Sequence, residues 1–173
     1  EVLGRRIGLW NPALYRFATL FGVSPRMRFD LIINQFVLEA LTRRRLVIYQ
    51  RGYARSFVHV RDVGDAILLA LAAPHDAVAR QIFNVGSDQG NYTKDEIVAL
   101  VQQYVEGTRV EYKDLTFGGD MRDIRVSFAK IRAHMPEFKT SWTAERGARQ
   151  LKAVFERIGL TSGTFEAAPF TRL

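Results

Sequence analysis

The chain reads as a mixed α/β protein. Three observations predict this. Residues 13–20 and 81–85 are rich in β-formers without a clear polar alternation, as in buried parallel strands. Residues 29–44 carry apolar side chains at helical spacing. Thr93 and Glu96, three residues apart ahead of another helical run, form the hydroxyl–carboxylate pair of a capping box.

In chain order, residues 1–9 read as the end of a helix with Val2, Leu3 and Ile7 as its apolar positions, broken by Asn11-Pro12. Tyr15, Phe17 and Thr19 lie in one buried parallel strand over residues 13–20, which Gly22 and Pro25 end in a loop. The helix over 29–44 sets Leu31, Phe36, Val37, Leu38 and Leu41 on one face. Asp30 stands at its positive pole, and Arg43, Arg44 and Arg45 at its negative pole. Short strands follow at 46–49 and 57–60. Asp62 is expected to cap a helix through Ala72, with Val63, Ile67, Leu68 and Leu71 as its buried stripe. A strand at 81–85 stops at Gly86. The helix over 94–105 then buries Ile97, Leu100, Val101 and Tyr104. A strand at 110–112, a strand end and short helix at 126–133, and an amphipathic helix at 143–158 complete the pattern; no period is visible from Thr161 onward.

At 173 residues, 47% hydrophobic and 25% charged, the composition is that of a globular domain with a real core. The absence of cysteine excludes disulfides and thiolate chemistry. His59, His75 and His134 lack the spacing of metal ligands. No apolar run reaches the roughly 18 residues of a membrane span and no signal-peptide pattern opens the sequence, so a cytoplasmic location is expected. The formal net charge of +7 suits a pocket for a diphosphate or a nucleic-acid surface. Arg5-Arg6 and Arg43-Arg44-Arg45 are short and lack interleaved aromatics, which places nucleic acid last among the partners.

Gly86-Ser87-Asp88-Gln89-Gly90 is the one strand-to-helix turn with the look of a phosphate loop. Two glycines four apart with no third make it an ordinary turn. Three other stretches are more informative: Arg16-Phe17-Ala18-Thr19-Leu20-Phe21-Gly22, Arg55-Ser56-Phe57-Val58-His59-Val60-Arg61-Asp62, and Ile82-Phe83-Asn84-Val85-Gly86. Together they resemble the C-terminal half of the NAD-dependent epimerase/dehydratase family, the extended short-chain dehydrogenases that act on nucleotide sugars. The resemblance covers about residues 13–158. It implies a partial Rossmann-type element at 1–28 (a helix end and one strand), a small mixed α/β substrate-binding domain at 29–160, and an irregular tail at 161–173.

The resemblance also implies roles. Ala18 and Leu20 would line the floor beneath the nicotinamide of NAD(P). Thr19, an Asn in many relatives, would offer its hydroxyl to the sugar. Arg26 would present a cation from the following loop, and Asn34 would approach the nucleotide from the next helix. Arg55 would contact the substrate diphosphate, since a guanidinium is a rigid donor fork matched to phosphate oxygens. The family's second arginine precedes a Gly-Asp pair. Here Phe117 and Gly118 precede Gly119-Asp120, leaving Arg122 or Arg125 as substitutes. His59, between two valines, reads as a core residue without a catalytic role. The Val126-Ser127-Phe128-Ala129-Lys130-Ile131 segment supports the fold.

The sequence holds no Gly-rich dinucleotide loop and no Tyr-x-x-x-Lys pair. The expectation is therefore a truncated, substrate-binding half of a nucleotide-sugar epimerase or dehydratase, inactive alone and without tight NAD binding. The alternative is a non-catalytic oligomerising module, or a truncated gene product with no ligand. Loss of a cofactor half would bare the strand at 13–20, so a homodimer or higher oligomer is expected.

Overall fold

A computed structural model of the chain describes residues 12–49, 52–113 and 123–163. The helix end read at 1–9 and the candidate Arg122 lie outside the described residues.

Seven short strands among the described residues form three small sheets. Strand β1 (Leu14–Phe17) runs parallel to β5 (Ile82–Val85), with Tyr15 opposite Phe83 and Phe17 opposite Val85. One residue later, β2 (Thr19–Phe21) lies parallel to β4 (Ala54–His59), with Thr19 opposite Phe57 and Phe21 opposite His59. The first half of β4 pairs antiparallel with β6 (Asn91–Thr93). Strand β3 (Arg45–Tyr49) runs parallel to β7 (Arg109–Lys113). The single strand expected over 13–20 is thus two strands in two sheets. The switch falls at Ala18, whose N–H still reaches the Val85 carbonyl at 3.2 Å. An apolar run on both parities serves either partner, so its pattern does not mark the switch.

Helix α1 (Ile32–Arg43) buries Ile33, Phe36, Val37, Leu38 and Ala40, and it starts later than its periodicity suggests. Asp30 does not stand in its first turn; that carboxylate takes the Arg28 Nε–H at 2.8 Å instead. Arg44 closes the helix in a left-handed conformation at φ 51°, sending the chain straight into β3. The main core joins α1 to α4 (Lys94–Tyr104) and α6 (Ala144–Arg157) through Phe29, Ile33, Phe36, Ile97, Val101, Leu151 and Phe155. The Thr93–Glu96 capping box is present: the Glu96 N–H donates to Thr93 Oγ1 at 3.2 Å, and the Thr93 N–H to Glu96 Oε2 at 2.7 Å.

Helix α2 (Val60–Ala72) corrects two expectations. Its N-cap is His59, whose Nδ1 accepts the Arg61 N–H at 3.2 Å. Asp62 is fully buried in the first turn, where it accepts the Ser141 N–H at 2.9 Å, the Ser141 hydroxyl at 3.1 Å and the Trp142 N–H at 3.2 Å. The expected stripe divides as well. Val63 is buried, but Ile67, Leu68 and Leu71 are 43%, 65% and 79% exposed. A single helix face meets β1, β5 and β4, and the close approach there is made by Val63, Ala66, Leu69 and Ala70. The bulkier side chains fall on the opposite face.

A short helix α3 (His75–Val78) leads toward β5. A second core lies against β1 and β5, built from Ala66, Phe83, Val85, Phe128, Ile131 and Met135. It includes α5 (Ala129–His134); the segment before it, expected as a strand end, forms no strand, and the Asn91 side chain bonds both backbone groups of Val126. The Gly86–Gly90 turn is a packing device. A Cβ on Gly86 would lie 2.8 Å from the Phe128 ring, and the Asp88 carboxylate accepts the Phe128 N–H at 3.0 Å and pairs with Arg132. That backbone hydrogen bond, ahead of the arginine, holds the Asp88 carboxyl below its ordinary range.

Candidate functional site

The chain leaves β2 through Gly22, loops across residues 23–30 and enters α1. This path encloses a cavity of about 370 Å³ at the carboxyl ends of β1 and β2, where open parallel sheets place their ligands. Ala18, Thr19 and Leu20 line it from the strand side, Ser24, Arg26 and Arg28 from the loop, and Asn34 and Val60 from the two helices. Five of the residues singled out from sequence, Ala18, Thr19, Leu20, Arg26 and Asn34, are therefore brought together.

Asn34 shapes the cavity. It is almost fully buried, and a buried amide must have partners. Its Oδ1 accepts the Gly22 N–H at 3.0 Å and its Nδ2 donates to the Arg28 carbonyl at 2.9 Å, so one side chain ties both ends of the loop to α1. Gly22 has φ +106°, and a Cβ there would overlap the His59 imidazole. The imidazole is fully buried, stacked on Trp142 at 4.2 Å and met edge-on by Phe21 at 5.1 Å. With Nδ1 accepting from the Arg61 N–H, the proton sits on Nε2 and is donated to Gln150 Oε1 at 3.1 Å. Burial pushes the His59 pKa below its ordinary 6.5, against the opposing effect of that hydrogen bond. His59 is a neutral wedge behind the cavity wall, in keeping with its reading as a core residue.

The charge at the cavity comes from the loop. Arg28 is compensated by Asp30, whereas the Arg26 guanidinium is exposed and makes no ion pair among the described residues. Ser24 holds the loop by donating its hydroxyl to the Arg26 carbonyl at 2.9 Å. The Thr19 hydroxyl has no hydrogen-bond partner among the described residues. Arg55 lies outside the lining: it is half-buried on β4 opposite Tyr92, and its Nη1 donates to the Ala54 carbonyl at 2.8 Å. Sequence reasoning did not name Ser24, Val60 or Gly22 as site residues. Gly22 had a visible signal, because it ends the first motif at a turn; Val60 reaches the cavity only through the β2–β4 pairing.

The model of the NAD dependent epimerase/dehydratase family matches residues 7–86. Every residue of the cavity falls inside that stretch, from Phe17 to Val60. The likeness to solved structures extends further along the chain. The UDP-glucose 4-epimerase of Thermotoga maritima, solved with UDP-glucose, is 21% identical with a TM-score of 0.74, over 92% of this chain and 50% of its own. The UDP-glucose 4-epimerase of Thermus thermophilus, a complex with NAD, is 23% identical with a TM-score of 0.68, over 90% and 49%. An NAD-dependent NDP-hexosamine 5,6-dehydratase involved in tunicamycin biosynthesis is 18% identical with a TM-score of 0.76, over 90% and 50%. These likenesses show a shared fold. This chain spans about half the length of each of the three.

A dinucleotide cofactor needs both a cradle for its pyrophosphate and an apolar seat for its nicotinamide. The glycine turn at residues 86–90 joins β5 to β6, and a Cβ on Gly86 would meet the Phe128 ring and one on Gly90 the Phe57 carbonyl, so both glycines serve close packing. Ala18 and Leu20 offer an apolar floor, which suits one end of such a cofactor and not its phosphates.

Proposed function

We propose that this chain is the substrate-binding portion of an NAD-dependent epimerase/dehydratase, and that the cavity beneath Gly22 receives a nucleotide-diphosphate sugar. One observation carries the reading: a cavity lies wholly within the stretch that matches the family, at the carboxyl end of a parallel pair, and its lining includes an arginine, Arg26, that makes no ion pair among the described residues. Arg26 supplies a charge-assisted fork for the diphosphate. Arg55, on β4 and outside the lining, is the second cation of this reading, with Arg122 as a further contributor. Thr19 donates to or accepts from a sugar hydroxyl. Asn34 contributes the wall that gives the nucleotide its seat, and Ala18 and Leu20 face the nicotinamide.

Hydride transfer needs a bound nicotinamide and an acid–base group held beside it. The chain carries no Tyr-x-x-x-Lys pair, so its own residues bind and orient the substrate. Bound NAD(P) would supply the hydride chemistry.

Isothermal titration of the chain with UDP-glucose, dTDP-glucose and NAD tests this. The expected result is weak, salt-sensitive binding of a nucleotide sugar and no measurable binding of NAD alone. Absence of binding for both sugars overturns the substrate reading. Tight NAD binding overturns the assignment of the cofactor's phosphates to residues outside this chain.

A further inference from the structure

A second cavity, of about 820 Å³, lies between the end of α4 and the face of α6 that points away from the core. Tyr104 lines it from α4, and Trp142, Arg146, Arg149, Gln150 and Lys152 from the α6 side. None of these residues lines the cavity beneath Gly22.

Two guanidiniums here rest on aromatic rings and not on carboxylates. Arg146 lies 4.1 Å from the Trp142 ring centroid, and Arg149 lies 5.8 Å from that of Tyr104. Neither makes an ion pair among the described residues. The two carboxylates that line the cavity are engaged elsewhere: Glu145 accepts the Tyr104 hydroxyl, and Glu156 pairs with Lys152. A guanidinium stacked on a ring keeps its in-plane N–H groups for another partner. Arg146 gives one of them to the Ser141 carbonyl at 2.9 Å, and Arg149 makes no hydrogen bond among the described residues. The Trp142 ring beneath Arg146 is itself fixed, stacked on the buried His59 imidazole at 4.2 Å. Gln150 adds a donor. Its Oε1 takes the His59 Nε2–H at 3.1 Å, which leaves its amide N–H groups to the cavity it lines.

The cationic stretch is short. Arg146, Arg149 and Lys152 follow one another three residues apart, about 9 Å of helix from first to last. Glu145 precedes the row and Glu156 follows it, both in the lining. A polyanion tracking the helix would meet a carboxylate at each end, whereas one or two phosphate groups fit between them. Trp142 already carries an imidazole and a guanidinium, so it is not the open stacking platform of a single-strand binder. A terminal phosphate offers three acceptor oxygens where a carboxylate offers two, enough to engage both forks.

We propose that this cavity binds the phosphate group of a small molecule, a monophosphate or a diphosphate, through the in-plane N–H groups of Arg146 and Arg149 and the amide of Gln150. The site stands apart from the nucleotide-sugar cavity, and neither depends on the other.

Inorganic phosphate and pyrophosphate are titrated into the full 173-residue chain by calorimetry, with Trp142 emission followed in a Trp10→Phe background. A diphosphate could also enter the cavity beneath Gly22, so Arg26→Ala is the control. Pyrophosphate binding should survive Arg26→Ala and change the Trp142 emission. It should weaken about ten- to hundredfold in Arg146→Gln and in Arg149→Gln. Arg149 is exposed, so Arg149→Gln should unfold at the parent's urea midpoint, which separates lost affinity from a lost fold. Failure of both anions to bind overturns the proposal. So does binding that Arg26→Ala abolishes and the two α6 variants leave unchanged, which would put the anion in the substrate cavity. A single-stranded oligonucleotide that binds more tightly than pyrophosphate and needs the same arginines would overturn the small-molecule assignment.

Discussion

The imidazole of His59 occupies the space where Gly22 has no side chain. The contact joins the end of β4 to the wall of the cavity, and it makes glycine necessary twice over: φ is +106°, and a Cβ would overlap the ring. Behind the ring, Gln150 and Trp142 close it in, so it has nowhere to retreat. Gly22→Ala is expected to destabilise the fold by roughly 2–5 kcal/mol, adding backbone strain to overpacking. Urea unfolding at neutral pH measures it. A shift within about 0.5 kcal/mol, the range of a bland surface change, would mean that the ring yields.

The same imidazole gives stability a pH dependence. His59 is buried neutral with its pKa below the ordinary 6.5, chiefly through desolvation. The unfolded chain therefore takes up a proton that the folded chain resists. The contribution is complete above the unfolded value, near 6.5, and is lost as pH falls from there toward the folded value. The Asp62 carboxylate favours the charged ring, and the Arg61 and Arg146 guanidiniums oppose it. Denaturation midpoints should fall between about pH 7 and pH 5, ahead of the carboxylate-driven loss at lower pH. Identical midpoints at about pH 7 and pH 5.5 would remove His59 as the cause.

Asp62 ties α2 to the chain ahead of α6. Its carboxylate takes three donors, from Ser141 and Trp142, and is fully buried. Asp62→Asn replaces one accepting oxygen with an amide that faces donors, so a bond is lost and a repulsion added. About 1.5–3 kcal/mol of stability should disappear, the range for hydrogen bonds to a charged group. The Trp142 emission should shift as its stack on His59 loosens, read in a Trp10→Phe background because the chain has two tryptophans. An unchanged spectrum with lost stability would place the damage elsewhere.

Much of this architecture could be read from the residues. The capping box at Thr93 rests on local backbone chemistry, which neighbours in sequence determine, and it is present. The cavity residues Thr19, Arg26 and Asn34 came from a motif, and the fold brings them together. The failures lie where long-range packing decides. Asp62 has the residue type and position of an N-cap, but Ser141 and Trp142, about eighty residues away, claim it. Ile67, Leu68 and Leu71 satisfy a helical period as well as the residues that are buried. Periodicity finds an apolar face and does not say which neighbour covers it.

Arg26→Ala and Arg55→Ala separate two routes to the diphosphate. Arg26 is exposed at the cavity mouth without an ion pair among the described residues, so its removal should leave stability within about 0.5 kcal/mol. Loss of a charge-assisted hydrogen bond of about 1.5–3 kcal/mol should weaken nucleotide-sugar binding roughly ten- to hundredfold. Arg55 is half-buried on β4 and bonds the Ala54 carbonyl. Its removal should lower both stability and affinity. Titration with UDP-glucose beside urea unfolding of each variant reads the two effects separately. If Arg55→Ala abolishes binding while Arg26→Ala leaves it unchanged, the phosphates sit against β4 and the loop arginine is a bystander. If both variants bind like the parent, the cationic rim is not the diphosphate site.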